Sequence, residues 1–304
     1  MKKLIYKILL FILIIFLVEK PFGYLVSQGI LERQYDQRLE KLFAGEIRSE
    51  VIILGSSRSL NGIDAGQLGE KLGQTTYNFG FSGSNLNFHE SVFNIISNVY
   101  IPNKVLLVID DKNAFKLNEK AIYRKDKLYP FIQYDAVLKE LANNSNKNYL
   151  ASKVSWLYRE NQNIFESFNF YLKGQLEPDE TTNVDEFGFV SLSSKKSHLI
   201  NSVNRNLSFE YDIFEEQPTY LASLKKIIKS CNQLGVNLYL VRLPSINAKL
   251  VGYNERLTDL VGGNIPILDF SNELQDERYH FDNGHLNSKG AKAMANLISQ
   301  SISK

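Results

Sequence analysis

Five short runs of consecutive apolar residues constrain this chain more than any other feature: "VIIL" at 51–54, "TTYNFGF" at 75–81, "KVLLVID" at 104–110, "GVNLYLVRLP" at 235–244 and "IPILDF" at 265–270. Successive residues of a strand point to opposite faces, so a strand that is apolar at every position is buried on both. Helical patterns lie between them, at roughly 59–72, 85–98, 218–234 and 287–303, the third closed by Gly235. Strands covered on both faces and alternating with helices predict an α/β fold, three-layer α/β/α, with a five-stranded, mainly parallel sheet. Residues 116–215 do not fit this alternation. They are rich in Tyr, Phe, Asn and Lys, and read as an insertion between the third and fourth strands, with "DEFGFVSLSS" a turn beside a short strand.

The N-terminus sets a second constraint. Lys2, Lys3 and Lys7 precede an uninterrupted apolar run of 11 residues from Ile8 to Val18. That run alone is shorter than the ~20 residues a transmembrane helix needs. Spanning length is reached only by counting from Leu4 through "PFGYLV", which takes in Lys7, Glu19, Lys20 and Pro21. A basic end before an apolar core is the pattern of an export signal, and no small-x-small cleavage site follows it. Residues 1–26 are therefore expected to be an uncleaved signal anchor, with the basic end cytoplasmic and the remainder extracytoplasmic. A cleaved signal peptide and a buried helix are the alternatives. Residues 27–49 read as a helical stalk and 50–304 as the main domain.

Composition excludes several functions. The net charge of +2 and the lack of a Lys/Arg block beyond the first residues argue against a nucleic-acid partner. The single cysteine, Cys231, excludes an internal disulfide and any multi-cysteine metal site, and is expected to be a small buried apolar residue. Neither a Walker loop nor a G-x-G-x-x-G is present, and the histidines show no metal-ligand spacing, so no cofactor and no metal are expected.

Three strand ends carry residues that could do chemistry, and the ends of parallel strands are where open α/β sheets bind ligands. The first strand runs into Gly55-Ser56-Ser57-Arg58, the second into "NFGFSGSN", and the last is followed by "FDNGHLN" with Asp282 and His285 three apart. A serine hydroxyl becomes a nucleophile when a histidine accepts its proton, and a carboxylate fixes that histidine's tautomer. A glycine turn can aim backbone N–H groups at a developing oxyanion. Each piece also has an ordinary use. Ser56 and Ser57 could cap a helix, Gly80 and Gly83 could simply turn the chain, and Asp282 could cap the last helix. Arg58 could hold a substrate anion or pair with Asp110 or Asp111. His89 could approach the site or lie on a helix surface, and His198 and His280 are expected at the surface.

"ILGSSRS", "NFGFSGSN" and "DNGHLN" resemble the sequence blocks of the SGNH (GDSL-type) hydrolases. The resemblance implies a flavodoxin-like strand order, Ser57 as nucleophile, His285 as base, Asp282 as its orienting acid and Gly83 as an oxyanion donor. Two departures stand out. The residue before the nucleophile, commonly acidic in that family, is Ser56. The third block, commonly Gly-x-Asn-Asp, is "VIDDKNAF", which puts Asn113 one residue late as an oxyanion donor, a role Asn85 could fill. Behind a membrane anchor, the Gly-Ser-Ser form resembles an exported branch that acylates or deacylates envelope polysaccharides. The implied activity is a serine esterase or O-acyltransferase on acyl, chiefly acetyl, esters of carbohydrate. A lipid-directed esterase and a non-catalytic binding protein of the same fold are the alternatives.

Overall fold

A computed structural model of the chain describes residues 2–33, 36–109, 114–145, 147–161, 164, 184–193, 208–246 and 249–302. It divides into two compact units, Met1–Glu40 with Lys125–Thr182, and Lys41–Arg124 with Asn183–Lys304.

The larger unit is built on strands β1 (Val51–Gly55), β2 (Thr76–Gly80), β3 (Lys104–Val108), β4 (Asn237–Arg242) and β5 (Ile267–Asp269). They pair in the order β2-β1-β3-β4-β5, and every pair is parallel. This is the flavodoxin-like order expected, with its switch point at β1 and β3. On one face Val51, Ile53, Leu106, Val108 and Val241 join a core with the helices Ala65–Leu72 and Ser288–Ile302. On the other, the helices Leu86–Val99 and Pro218–Leu234 pack against each other and against β1 and β4. Strand β1 is buried along its whole length. Cys231 is buried in the Pro218–Leu234 helix, where burial pushes its thiol up to about 12.

Two expectations are corrected in detail. The helix expected at 59–72 is two helices, Ser57–Gly62 and Ala65–Leu72, because Asp64 starts the second by accepting from Gln67 N at 3.0 Å. The buried carboxamide of Asn78 fastens the first to β2, donating to Ser59 O at 2.8 Å and Ile63 O at 3.2 Å. No strand forms within residues 184–193. The turn there is real: Gly188 N donates to Asp185 O at 3.1 Å, and the Asp185 carboxylate accepts from Phe187 N and Phe189 N. Its backbone serves the neighbours instead of a ladder, with Phe187 O accepting from Asn78 N at 2.8 Å on the edge strand β2. That contact occupies part of an edge otherwise open to strand pairing. Within residues 36–49, which hold the helix Gln37–Phe43, Asp36, Arg38, Leu39, Leu42 and Ile47 are buried.

In the smaller unit one helix runs from Lys2 to Arg33, through Pro21. The 25 residues Lys2–Val26 are apolar and mostly exposed, and at 1.5 Å per residue they extend about 37 Å against the ~30 Å of a bilayer's hydrocarbon core. Short helices follow at Asp135–Asn143, Tyr149–Val154 and Trp156–Glu160, all within the stretch read as an insertion.

Candidate active site

The backbone leaves β1 through Gly55, whose φ of 150° lies in the region that side chains avoid. A Cβ there would stand 2.8 Å from Ser59 Oγ and 3.0 Å from Val108 Cβ, so position 55 is closed by space as well. The helix Ser57–Gly62 starts immediately, and Ser56 is its cap: Ser56 Oγ accepts from Arg58 N at 3.2 Å. Capping is thereby done by one serine, and the other is free for a distant partner. Ser57 Oγ lies 2.9 Å from His285 Nε2, across 228 residues of sequence.

His285 is oriented by Asp282. Its Nδ1 lies 2.9 Å from Asp282 Oδ1 and 3.0 Å from Oδ2. The carboxylate accepts a hydrogen bond from Nδ1–H, which keeps the proton on that nitrogen and leaves the Nε2 lone pair facing Ser57 Oγ. Asp282 Oδ1 also accepts from Gly284 N and His285 N, both at 2.8 Å, so the turn itself holds the carboxylate. Partial burial would raise the Asp282 carboxyl, but the hydrogen bond and charge of His285 and these two N–H groups outweigh it and hold the carboxyl below its ordinary range. Both side chains remain 29% exposed, so the arrangement is open to solvent and substrate. Asp282 is not spent on capping, because Asn287 Oδ1 accepts from Lys289 N and Gly290 N at the start of the last helix.

Arg58 is tied to backbone. Its Nε donates to Gly284 O at 3.1 Å, and its Nη2 to Leu243 O at 2.7 Å and Pro244 O at 3.0 Å. The residue following Ser57 thus grips both the turn that carries His285 and the segment leaving β4. Asp110, Asp111 and Asn113 lie outside the described residues. Asn85 caps the helix Leu86–Val99, with Oδ1 accepting from Phe88 N at 3.1 Å and Nδ2 donating to Tyr220 Oη at 3.2 Å. Gly83 adopts a φ of 66° in the turn after β2. Among the described residues neither the Gly83 nor the Ser57 N–H has an acceptor, and two such donors are what an oxyanion requires.

A second serine–histidine pair, unmarked in the sequence, involves Ser84 and His89. His89 is buried, 6% exposed, with Nε2 2.8 Å from Ser84 Oγ. Ser84 Oγ donates its one proton to Phe81 O at 2.6 Å, so His89 Nε2 carries a hydrogen. Ser84, Asn85, His89, Val108, Ile109 and Ala121 wall a cavity of about 50 Å³. His280, expected at the surface, is buried with Nε2 2.8 Å from Leu274 O. His198 lies outside the described residues. No cluster of three or more His, Cys, Asp or Glu side chains with metal-holding geometry occurs among the described residues.

No family model and no curated protein matches this chain. Among solved structures it is similar to an inferred acylhydrolase from Bacteroides fragilis NCTC 9343, at 12% identity and a TM-score of 0.39, over 83% of this chain and 86% of that one. It is also similar to an inferred lipolytic protein of the G-D-S-L family from Desulfitobacterium hafniense DCB-2, at 10% identity and a TM-score of 0.39, over 83% of this chain and 99% of that one.

The buried pair predicts a pH dependence of folding. Burial pushes the His89 imidazole down to about 3, whereas in the unfolded chain it takes a proton near its ordinary value of 6.5. The resulting stability is complete above pH 6.5 and is lost as pH falls below it, by about 2 kcal/mol at pH 5. Urea unfolding at pH 7 and pH 5 will show this loss, and His89→Gln will remove it. An equal loss in both proteins would absolve His89.

Proposed function

We propose that the larger unit is a serine-dependent ester hydrolase or O-acyltransferase. The observation that carries this reading is the unbroken path from Asp282 through His285 to Ser57 Oγ. In this mechanism Ser57 Oγ attacks the ester carbonyl carbon as His285 Nε2 takes its proton, and Asp282 stabilises the imidazolium. The oxyanion is held by the N–H groups of Ser57 and Gly83. Collapse breaks the bond to the leaving alkoxide, which receives the proton from His285. The acyl group, now on Ser57, passes to water in an esterase, or to a sugar hydroxyl in a transferase, with His285 again removing the acceptor's proton. Asn85, with its carboxamide engaged as described, and Asn113 are further candidates for the oxyanion.

We assign the substrate class as short acyl esters, acetyl first, on envelope carbohydrate. The apolar helix Lys2–Val26 favours a second reading, in which the ester belongs to a membrane lipid. We further propose that this helix is an uncleaved anchor with Lys2, Lys3 and Lys7 on the cytoplasmic side.

A fluorophosphonate probe will label the protein at Ser57 and will not label Ser57→Ala. His285→Ala will lower turnover of acetyl esters roughly 10³-fold or more. An unlabelled wild type would make this a binding protein of hydrolase shape. Release of long-chain fatty acid in preference to acetate would move the substrate to lipid.

Arg58 acts in this reading by positioning, not by touching substrate. Arg58→Ala will lower kcat roughly 10- to 100-fold with little change in KM, since small displacements of a base cost rate rather than affinity. A KM rise at constant kcat would instead put the guanidinium on the substrate.

The anchor's orientation is checked on intact spheroplasts, where added protease will degrade the larger unit. Protection until the membrane is breached would reverse the assignment.

A further inference from the structure

One surface of the smaller unit takes no part in ester chemistry. The short helices Tyr149–Val154 and Trp156–Glu160 are locked onto the far end of the apolar helix by contacts that leave little play. Glu19 Oε1 accepts from Leu157 N at 2.7 Å and from Ser155 Oγ at 2.8 Å. Lys20 Nζ donates to Val154 O at 2.5 Å and stands 5.3 Å from the centre of the Trp156 ring. Trp156 lies directly on Gly23, where an added Cβ would come within 2.5 Å of the tryptophan Cβ. Beside this joint, Leu150 and Val154 stand one turn apart on the same helical face, 68% and 62% exposed. Lys153, 57% exposed and paired with Asp135 at 2.8 Å, belongs to the same short stretch, whereas Arg159 is buried with its guanidinium 4.7 Å from the centre of the Trp156 ring.

Helix length determines where this surface must lie. From Leu4 to Val18 the uncharged stretch, Lys7 excepted, covers about 22 Å, well short of the ~30 Å hydrocarbon core. A bilayer threaded by this helix therefore extends past Glu19 toward Val26, to the level at which Trp156 is fixed. The Glu19 carboxylate has two donors there, which lowers the cost of holding it near lipid. Tryptophan and snorkelling cations are the side chains that membrane–water interfaces favour. We propose that residues 149–160 lie in the headgroup region of the bilayer, with Leu150, Val154 and Trp156 against lipid. The inference rests on the anchor reading of Lys2–Val26.

Trp156 is the only tryptophan in the chain, so it reports on its own surroundings. The full chain is reconstituted into phosphatidylcholine vesicles brominated either near the headgroup end or near the methyl end of the acyl chains. Flotation of the vesicles tests the anchor, and bromine quenching tests the surface. The expected result is co-flotation with blue-shifted emission, quenched more by the shallow bromine than by the deep one. Replacing both Leu150 and Val154 with serine will leave flotation intact and weaken the quenching. Co-flotation with water-like, unquenched emission would overturn the inference and leave the anchor standing. Blue-shifted emission without quenching would put this face against protein, such as a second copy, and overturn it equally. Failure to float would remove the anchor and the inference together.

Discussion

The arrangement at the carboxyl end of the sheet depends on a residue with no side chain. Gly55 ends the central strand in a conformation closed to other residues, with Ser59 and Val108 filling the space a Cβ would take. Its carbonyl accepts from Phe81 N at 2.9 Å and lies 3.4 Å from Ser84 Oγ, so the same residue that launches Ser57 also hangs the turn containing Gly83. The serine hydroxyl and the second strand's turn are thereby set from one point. A substitution at 55 would disturb both, although 55 itself carries no reactive group.

The division of labour between neighbouring residues follows the same economy. Helix starts need a side-chain acceptor, and this chain supplies Ser56 for one and Asn287 for the other. With them in place, the Ser57 hydroxyl and the Asp282 carboxylate remain available to one imidazole.

Much of this was legible in the sequence, and the parts that were not have a common cause. Strands β1, β2 and β3 are visible because burial on both faces requires apolar residues at consecutive positions, a local pattern, whereas the edge strand β5 is only partly buried and shows through its short apolar run alone. Ser57, Asp282 and His285 are visible because each sits at a strand end or in a short fixed spacing. Arg58 stands out in the sequence at the same strand end, but its bonds to the backbone carbonyls of 243, 244 and 284 do not, because any residue type there offers a carbonyl. The division of the 59–72 helix turned on Asp64, whose capping role shows only once the chain breaks there. The missing strand after Gly188 has a similar origin. Strand propensity is satisfied only when a partner edge joins the ladder, and here β2 donates one bond, from Asn78 N to Phe187 O.

Two serine–histidine pairs of nearly equal length lie in this unit, 2.9 Å at Ser57–His285 and 2.8 Å at Ser84–His89, and their environments give them opposite capacities. His285 has a carboxylate behind it, so positive charge forming on the ring is met by negative charge already in place. His89 has burial alone, which pushes its imidazole far down and makes protonation costly near neutral pH. The proton on Ser84 is moreover directed at Phe81 O, with the histidine as donor rather than acceptor. A short contact between a hydroxyl and an imidazole is therefore not enough to identify a nucleophile. The direction of the proton and the charge available to the ring separate the two pairs: Ser57 Oγ faces an imidazole backed by a carboxylate, while Ser84 Oγ donates to Phe81 O in the turn that holds Gly83.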